Sequence, residues 1–178
     1  MRKINKNTSY IIVILLIAFF QCSTVKTIKH KNLCRFNDPY INQTIVNAWE
    51  NFHKSRFEWA ALDFTRLIQK NYIDYDILFG AGLAYFFMND TAKAVDYFTQ
   101  AINKNPYHFE AYYLRAKIYL QMGNKAKAKD DCLKIVSMGY PNMLICGYYY
   151  NNNDIADTKA LQARKKEAQL LLAEIDHD

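Results

Sequence analysis

Small and apolar side chains return at one fixed interval along the middle of this chain. Ala48, Gly82 and Ala116 stand 34 residues apart, and so do Ala60, Ala94 and Ala128. The sets Phe64, Phe98, Cys132 and Leu67, Ala101, Ile135 keep the same interval. Inside each interval the apolar positions recur three and four residues apart, which is the spacing of one helix face. The pattern therefore predicts three helix pairs. The first helices run over Asn42–Lys54, Asp76–Met88 and Glu110–Met122. The second helices run over Phe57–Lys70, Thr91–Lys104 and Lys125–Ser137. Ser55-Arg56, Asn89-Asp90 and Gly123-Asn124 read as the turns between partners. Asp38-Pro39 signals a helix start, a capping side chain followed by Pro at the first helical position. Pro106 breaks the chain between units. A regular interval of this size means one supersecondary unit stacked on copies of itself. The small residues sit mid-helix, where larger side chains would push the facing helices apart.

Beyond Asn142 the interval fades. Asn151-Asn152-Asn153 is a loop signal, and Asp154 caps a helix running to about Glu174. Its apolar stripe is Leu161, Ala168, Leu171, Leu172 and Ile175, with Arg164, Lys165, Lys166 and Glu167 turned to water. This helix is expected to seal the open end of the stack. Association with a partner or with a second copy is the alternative.

The N-terminus has a different character. Arg2, Lys3 and Lys6 precede an unbroken apolar run from Ile11 to Phe20. As a helix that run spans about 15 Å, half of a bilayer core of roughly 30 Å. A basic flank, a short apolar run and then polar chain is the layout of an export signal. Residues 1–21 are therefore set outside the fold. Cys22 follows at once, and the segment resembles a bacterial lipoprotein signal, in which that cysteine is lipidated and becomes the first residue of the mature chain. Gln21 stands where that pattern wants a small residue. A signal-anchor or an ordinary signal with Cys22 incidental is the alternative. Residues 22–40 read as a tether, basic between Lys26 and Arg35, able to lie on anionic lipid.

Composition narrows the class. The chain has 178 residues, 51% of them hydrophobic and 22% charged, with 5 Gly and 3 Pro; that is too few turn residues for an all-β fold and too apolar for disorder. The formal charge of +6 falls to about +3 without the leader, and no dense basic stripe is present to neutralise phosphates, so nucleic acid is not an expected partner. His30, His53, His108 and His177 share no ligand spacing, and no phosphate loop or nucleophile elbow occurs. Gly80-Ala81-Gly82 lies within a helix pattern and reads as packing. Asp130-Asp131 and the repeated Asp63 and Asp96 read as surface. No metal, cofactor or enzymatic activity is expected. Cys132 takes a core position and reads as a free thiol, with a Cys132–Cys146 disulfide open in an oxidising compartment.

The repeats resemble the tetratricopeptide repeat family. Residues 75–108 match best, through Leu78, Gly82, Tyr85, Ala94, Phe98, Ala101 and Pro106. Residues 109–142 follow through Tyr112, Ala116, Tyr119, Gly123 and Ala128, departing at Cys132 and Tyr140. Residues 41–74 keep the register through Ala48, Ala60, Phe64 and Leu67, and residues 143–178 hold the connecting segment and capping helix. The resemblance implies an all-α, right-handed solenoid of three helix pairs whose first helices line a concave groove. Groove positions would be Ile45, Trp49 and Phe52, then Phe79, Leu83, Phe86 and Phe87, then Tyr113, Lys117 and Leu120. The carboxylate clamp of chaperone-binding members falls here on Ile45, Trp49, Gly80, Glu110 and Leu114, which cannot form it; Glu110 would repel a carboxylate. So apolar a strip needs a cover, such as a partner protein or peptide, the chain's own residues 23–37 or 143–150, or a second copy. The resulting expectation is a lipid-anchored interaction scaffold of the bacterial cell envelope, facing the periplasm. A permanent subunit of an envelope or secretion assembly and a glycan or peptidoglycan binder are the alternatives.

Overall fold

A computed structural model describes residues 36–139, 144–145, 148–149 and 155–177. The expectations for residues 1–21, Cys22, residues 23–35, Cys146 and most of 143–154 lie outside these residues. The described residues up to Val46 and those from Asn47 onward form two compact units. Seven helices are described: α1 (Pro39–His53), α2 (Phe57–Gln69), α3 (Tyr75–Phe87), α4 (Thr91–Lys104), α5 (Phe109–Gln121), α6 (Lys125–Ser137) and α7 (Ile155–His177). Two short strands, β1 (Leu144–Ile145) and β2 (Tyr148–Tyr149), pair antiparallel with Leu144 opposite Tyr149. The fold is all-α apart from that ladder. No helix among the described residues is long and apolar enough to cross a membrane.

In the first unit, α1 begins at Pro39, earlier than its apolar periodicity, because Asp38 caps it. The Asp38 carboxylate accepts from the backbone N–H of Tyr40 at 2.9 Å and of Ile41 at 3.3 Å. Asn42 fixes the entry by exchanging two hydrogen bonds with the backbone of Phe36, at 2.7 and 3.3 Å. Ile41, Thr44 and Ile45 are buried.

In the second unit the helices stack in order, each packing on the next from α2 to α7. Every small position of the sequence pattern is buried: Ala48, Ala60, Ala94, Ala116 and Ala128 are fully enclosed, and Gly82 with them. The turns repeat as well. Ser55, Asn89 and Gly123 take φ of 57°, 62° and 73°. The next residue's N–H then returns to a carbonyl of the helix just ended, Arg56 to Asn51, Asp90 to Tyr85 and Asn124 to Tyr119, at 2.8, 2.9 and 2.7 Å. Asp90 and Asn124 go on to cap α4 and α6, accepting from Lys93 and Lys127 N–H at 3.2 Å each. Arg56 gives α2 no such cap, in keeping with the weaker first repeat.

The capping helix takes a definite place. α7 packs chiefly on α6, as α3 packs on α2 and α5 on α4. Its buried residues Leu161, Arg164 and Ala168 repeat the spacing of Phe109, Tyr112 and Ala116. α7 thus stands as the first helix of a fourth pair. Two charged residues read as surface prove buried. Arg164 is 7% exposed and Asp131 4%, whereas Asp130 is exposed as read. Asp131 accepts two hydrogen bonds from Arg115, at 2.7 and 2.9 Å, and Arg115 also donates to the Thr99 hydroxyl at 2.8 Å. Asp63 is half-buried too, accepting from Asn51 at 3.1 Å. Cys132 is a free, buried thiol whose pKa burial pushes up to about 11.

The tightest contacts are made by glycine. A Cβ at Gly82 would lie 2.7 Å from two atoms of the Phe98 ring, and one at Gly80 would lie 2.4 Å from the Phe64 ring. Both rings are fully buried and have no room to move. Gly82→Ala should therefore destabilise the protein, because overpacking of about 1–3 kcal/mol outweighs the helix-propensity gain of at most ~1 kcal/mol. In a Phe98→Leu background the same change should be close to neutral. Urea denaturation of the four chains checks the cycle; an equal penalty in both backgrounds would refute the steric account.

Candidate binding groove

The first helices of the second unit carry the groove positions on one register. Trp49, Leu83 and Lys117 are equivalent, as are Phe52, Phe86 and Leu120, and as are Phe79 and Tyr113. All eight are half-buried and sit on helices, so the backbone beneath them is fixed. Ile45 belongs to the first unit, is 6% exposed and offers no surface.

The aromatic members do not lie bare. Trp49 meets the Phe64 ring edge-on at 5.1 Å and Phe52 at 6.0 Å. Phe87 stacks flat on Phe57 at 4.9 Å and meets Phe52 at 5.5 Å. Phe79 packs on the His108 ring at 4.3 Å and on Phe98 at 5.6 Å. Phe79 and Phe87 join successive pairs through these contacts and stay half-buried, like Trp49 and Phe52. The strip is not the open apolar patch its composition suggests. Trp49, Phe52, Leu83, Phe86 and Leu120 present partial faces above this packing.

At its far end the groove turns polar. Arg164 reaches from α7 over the Tyr113 ring, its guanidinium carbon 4.1 Å from the centroid. It donates to Glu110 at 2.9 and 3.2 Å and also pairs with Glu167. Burial raises the pKa of Glu110, and Arg164 opposes the shift. Burial and then the Glu167 charge push Tyr113 up to about 12. The Glu110 charge, expected to repel a carboxylate, is matched within the chain by Arg164. Lys117 lies nearby with its ammonium 5.6 Å from the Tyr113 centroid. Burial and then the Arg164 charge lower its pKa.

Sequence periodicity passed over Arg164, Arg115 and His108. A signal existed for the first: Arg164 lies three residues after Leu161 and four before Ala168, on the apolar stripe itself. Arg115 and Asp131 line an open pocket of about 240 Å³ with Thr99, Tyr119, Lys127 and Asp130, and there the half-buried Arg115 and the buried Asp131 satisfy each other. Trp59 and Leu62, on the second helix of the first pair, are 62% and 46% exposed.

His108 caps α5 through Nδ1, which accepts from the Ala111 N–H at 3.3 Å. Burial lowers its pKa to about 4, against a partial opposing effect of Asp76. The folded protein thus keeps the ring neutral where an unfolded chain would protonate it below about 6.5. Between those values the unfolded state binds more protons, so stability falls as pH falls from about 6.5 toward 4, by up to ~1.4 kcal/mol per pH unit. His108→Asn keeps a capping acceptor and removes the titration. Its stability should decline less than that of the wild type over this window, and denaturation curves at stepped pH measure the difference.

Comparison with known proteins places this geometry. Two family models described as tetratricopeptide repeat match residues 76–106 and 97–130. No curated protein matches the chain in sequence. Among solved structures it is similar to PcrH of Pseudomonas aeruginosa in complex with the chaperone binding region of PopD. The identity is 13%, the match covers 80% of this chain and 95% of that one, and the TM-score is 0.64. The type III secretion chaperone SycD of Yersinia enterocolitica, in complex with a peptide of the translocator YopD, is similar at 16% identity, over 79% of this chain and 95% of that one, with a TM-score of 0.61. The first tetratricopeptide domain of Spaghetti (RPAP3), bound to an HSP90 peptide, is similar at 14% identity, over 75% and 97%, with a TM-score of 0.53. At these identities the likeness is one of fold.

Proposed function

We propose that this chain, which belongs to the tetratricopeptide repeat family, is an exported scaffold that holds a segment of a partner protein along its first helices. The observation that carries the reading is the register of Trp49, Leu83, Lys117 and of Phe52, Phe86, Leu120, two rows of half-exposed side chains on rigid helices. Apolar faces so aligned suit a segment laid along them, with alternate side chains entering between the rows. The fold relatives lend support, since each of the three described above is a complex with a partner region or peptide. Among the described residues, the perturbed groups at Glu110, Tyr113 and Arg164 are engaged with one another. Binding is the activity that such a surface supports.

The test uses Leu83→Lys with Leu120→Lys. A lysine stem preserves apolar packing while its head places charge in the groove. Site-specific crosslinking from Trp49 in cells should capture one partner in the wild type, and the double variant should lose it at unchanged helicity and melting temperature. An unchanged crosslink would move the binding surface away from the first helices.

The address is part of the same proposal. The basic flank, apolar run and Cys22 support a lipid anchor that holds the folded part at the cell envelope, facing the periplasm. Cys22→Ser should shift the protein from the membrane fraction to the soluble one and abolish incorporation of a labelled fatty acid. Retention in the membrane without label would instead favour a signal-anchor.

A further inference from the structure

We infer that the groove selects a segment bearing one acidic side chain, received by Lys117, behind apolar side chains that lie over Leu83, Phe86 and Trp49. This rests on the groove reading above. Of the nine groove positions in the second unit, Lys117 alone is charged; its equivalents in the two preceding pairs are Leu83 and Trp49. Its ammonium has no hydrogen bond and no carboxylate within 4 Å among the described residues, and its one close partner is the face of Tyr113. It is half-buried beside Arg164, whose positive charge adds to the cost of keeping it ionised, and the Glu167 charge offsets only part of that cost.

The neighbouring charges are already used. Arg164 is held between Glu110 and Glu167, so neither carboxylate is free to turn wholly to Lys117 and the guanidinium has little left to donate. What remains is one cation, partly desolvated, at the end of an apolar row. A carboxylate arriving there would form a charge-assisted bond in a low-dielectric setting, where such bonds are strongest. A single ammonium is met by one carboxylate, here assigned to an Asp or Glu side chain of the segment. The row also has a direction, from aromatic and aliphatic in the first two pairs to cationic in the third, so one orientation of the segment is favoured over its reverse.

The test is a selection on immobilised full-length protein from random peptides fused at their C-termini to a phage coat protein, so that no chain-end carboxylate is present. Wild-type binders should be enriched in apolar residues followed by Asp or Glu. The Lys117→Met chain, whose thioether stem still covers Tyr113, should select apolar residues without the acid. In one selected peptide, changing the acid to its amide should weaken binding about tenfold to wild type and leave binding to Lys117→Met unchanged. Apolar enrichment without an acid would overturn the inference and leave the groove reading standing. If no peptide is enriched, or Leu83→Lys enriches the same ones, the groove reading falls and the inference falls with it. A wild type that runs as a dimer and becomes monomeric with Leu83→Lys would show that a second copy fills the groove, which overturns the inference as well.

Discussion

The Phe98 ring occupies the volume that a Cβ at position 82 would need, and the Phe64 ring does the same at position 80. This close approach sets the distance between α3 and its neighbours on both sides, and the rest of the stack follows from it. The third pair differs at both places. Where Phe64 and Phe98 stand in the first two pairs, the third has the smaller Cys132, and its small first-helix residue grows from Gly82 to Ala116. Both are fully buried. What the 34-residue interval holds constant is a small residue in mid first helix, Ala48, Gly82 or Ala116, while the residue on the second helix ranges from Phe to Cys.

Among the described residues, the buried charges lie in the third pair and in α7. α7 repeats the burial pattern of a first helix, but it places Arg164 where α3 has Leu78 and α5 has Tyr112. A guanidinium there is tolerable only with its charge matched and its flat face covered. Glu110 and Glu167 supply the first and Tyr113 the second. Buried ion pairs of this kind add little net stability over apolar packing. What they add is discrimination: an apolar face at this position could accept any hydrophobic helix, whereas this one fits a guanidinium with acids at fixed positions around it. The network therefore ties α7 to the third pair and closes the polar end of the groove in the same contacts.

Most of the helical framework was legible from residue spacing. Helix limits read from periodicity fall within one residue of the structure for α2 to α6, because caps and turns repeat with the core; Asn89-Asp90 and Gly123-Asn124 mark the turn and the cap at once. What escaped were polar residues on apolar registers. A reading that assigns charge to water puts Arg164 and Asp131 outside; the place of Arg164 on the apolar stripe argues against it, and the partners, 54 residues away in Glu110 and 16 in Arg115, reverse it. His108 escaped for a similar reason: its edge-on contact with Tyr75 and tilted contact with Phe79 depend on how one pair meets the next. The candidate groove was legible as a set of positions. How far each side chain is used up in packing was not, since Phe79 and Leu83 look alike in sequence and differ in their ring neighbours.

That difference bears on how such a groove could bind. A flexible apolar strip would have to order its side chains on contact, at a cost of about 0.5–1.5 kcal/mol for each one immobilised. Here the ordering is already done by folding. Trp49 and Phe52 are wedged against Phe64, Phe57 and Phe87 at centroid distances from 5.1 to 5.5 Å, so their remaining faces are fixed before any ligand arrives. The rings engaged in packing thus hold the exposed ones in place. A substitution at Phe87 or Phe57 would loosen the groove floor, and a binding defect caused there would be accompanied by lost stability. A defect caused at Leu83 or Lys117 need not be, and that separation distinguishes the surface of the groove from its support.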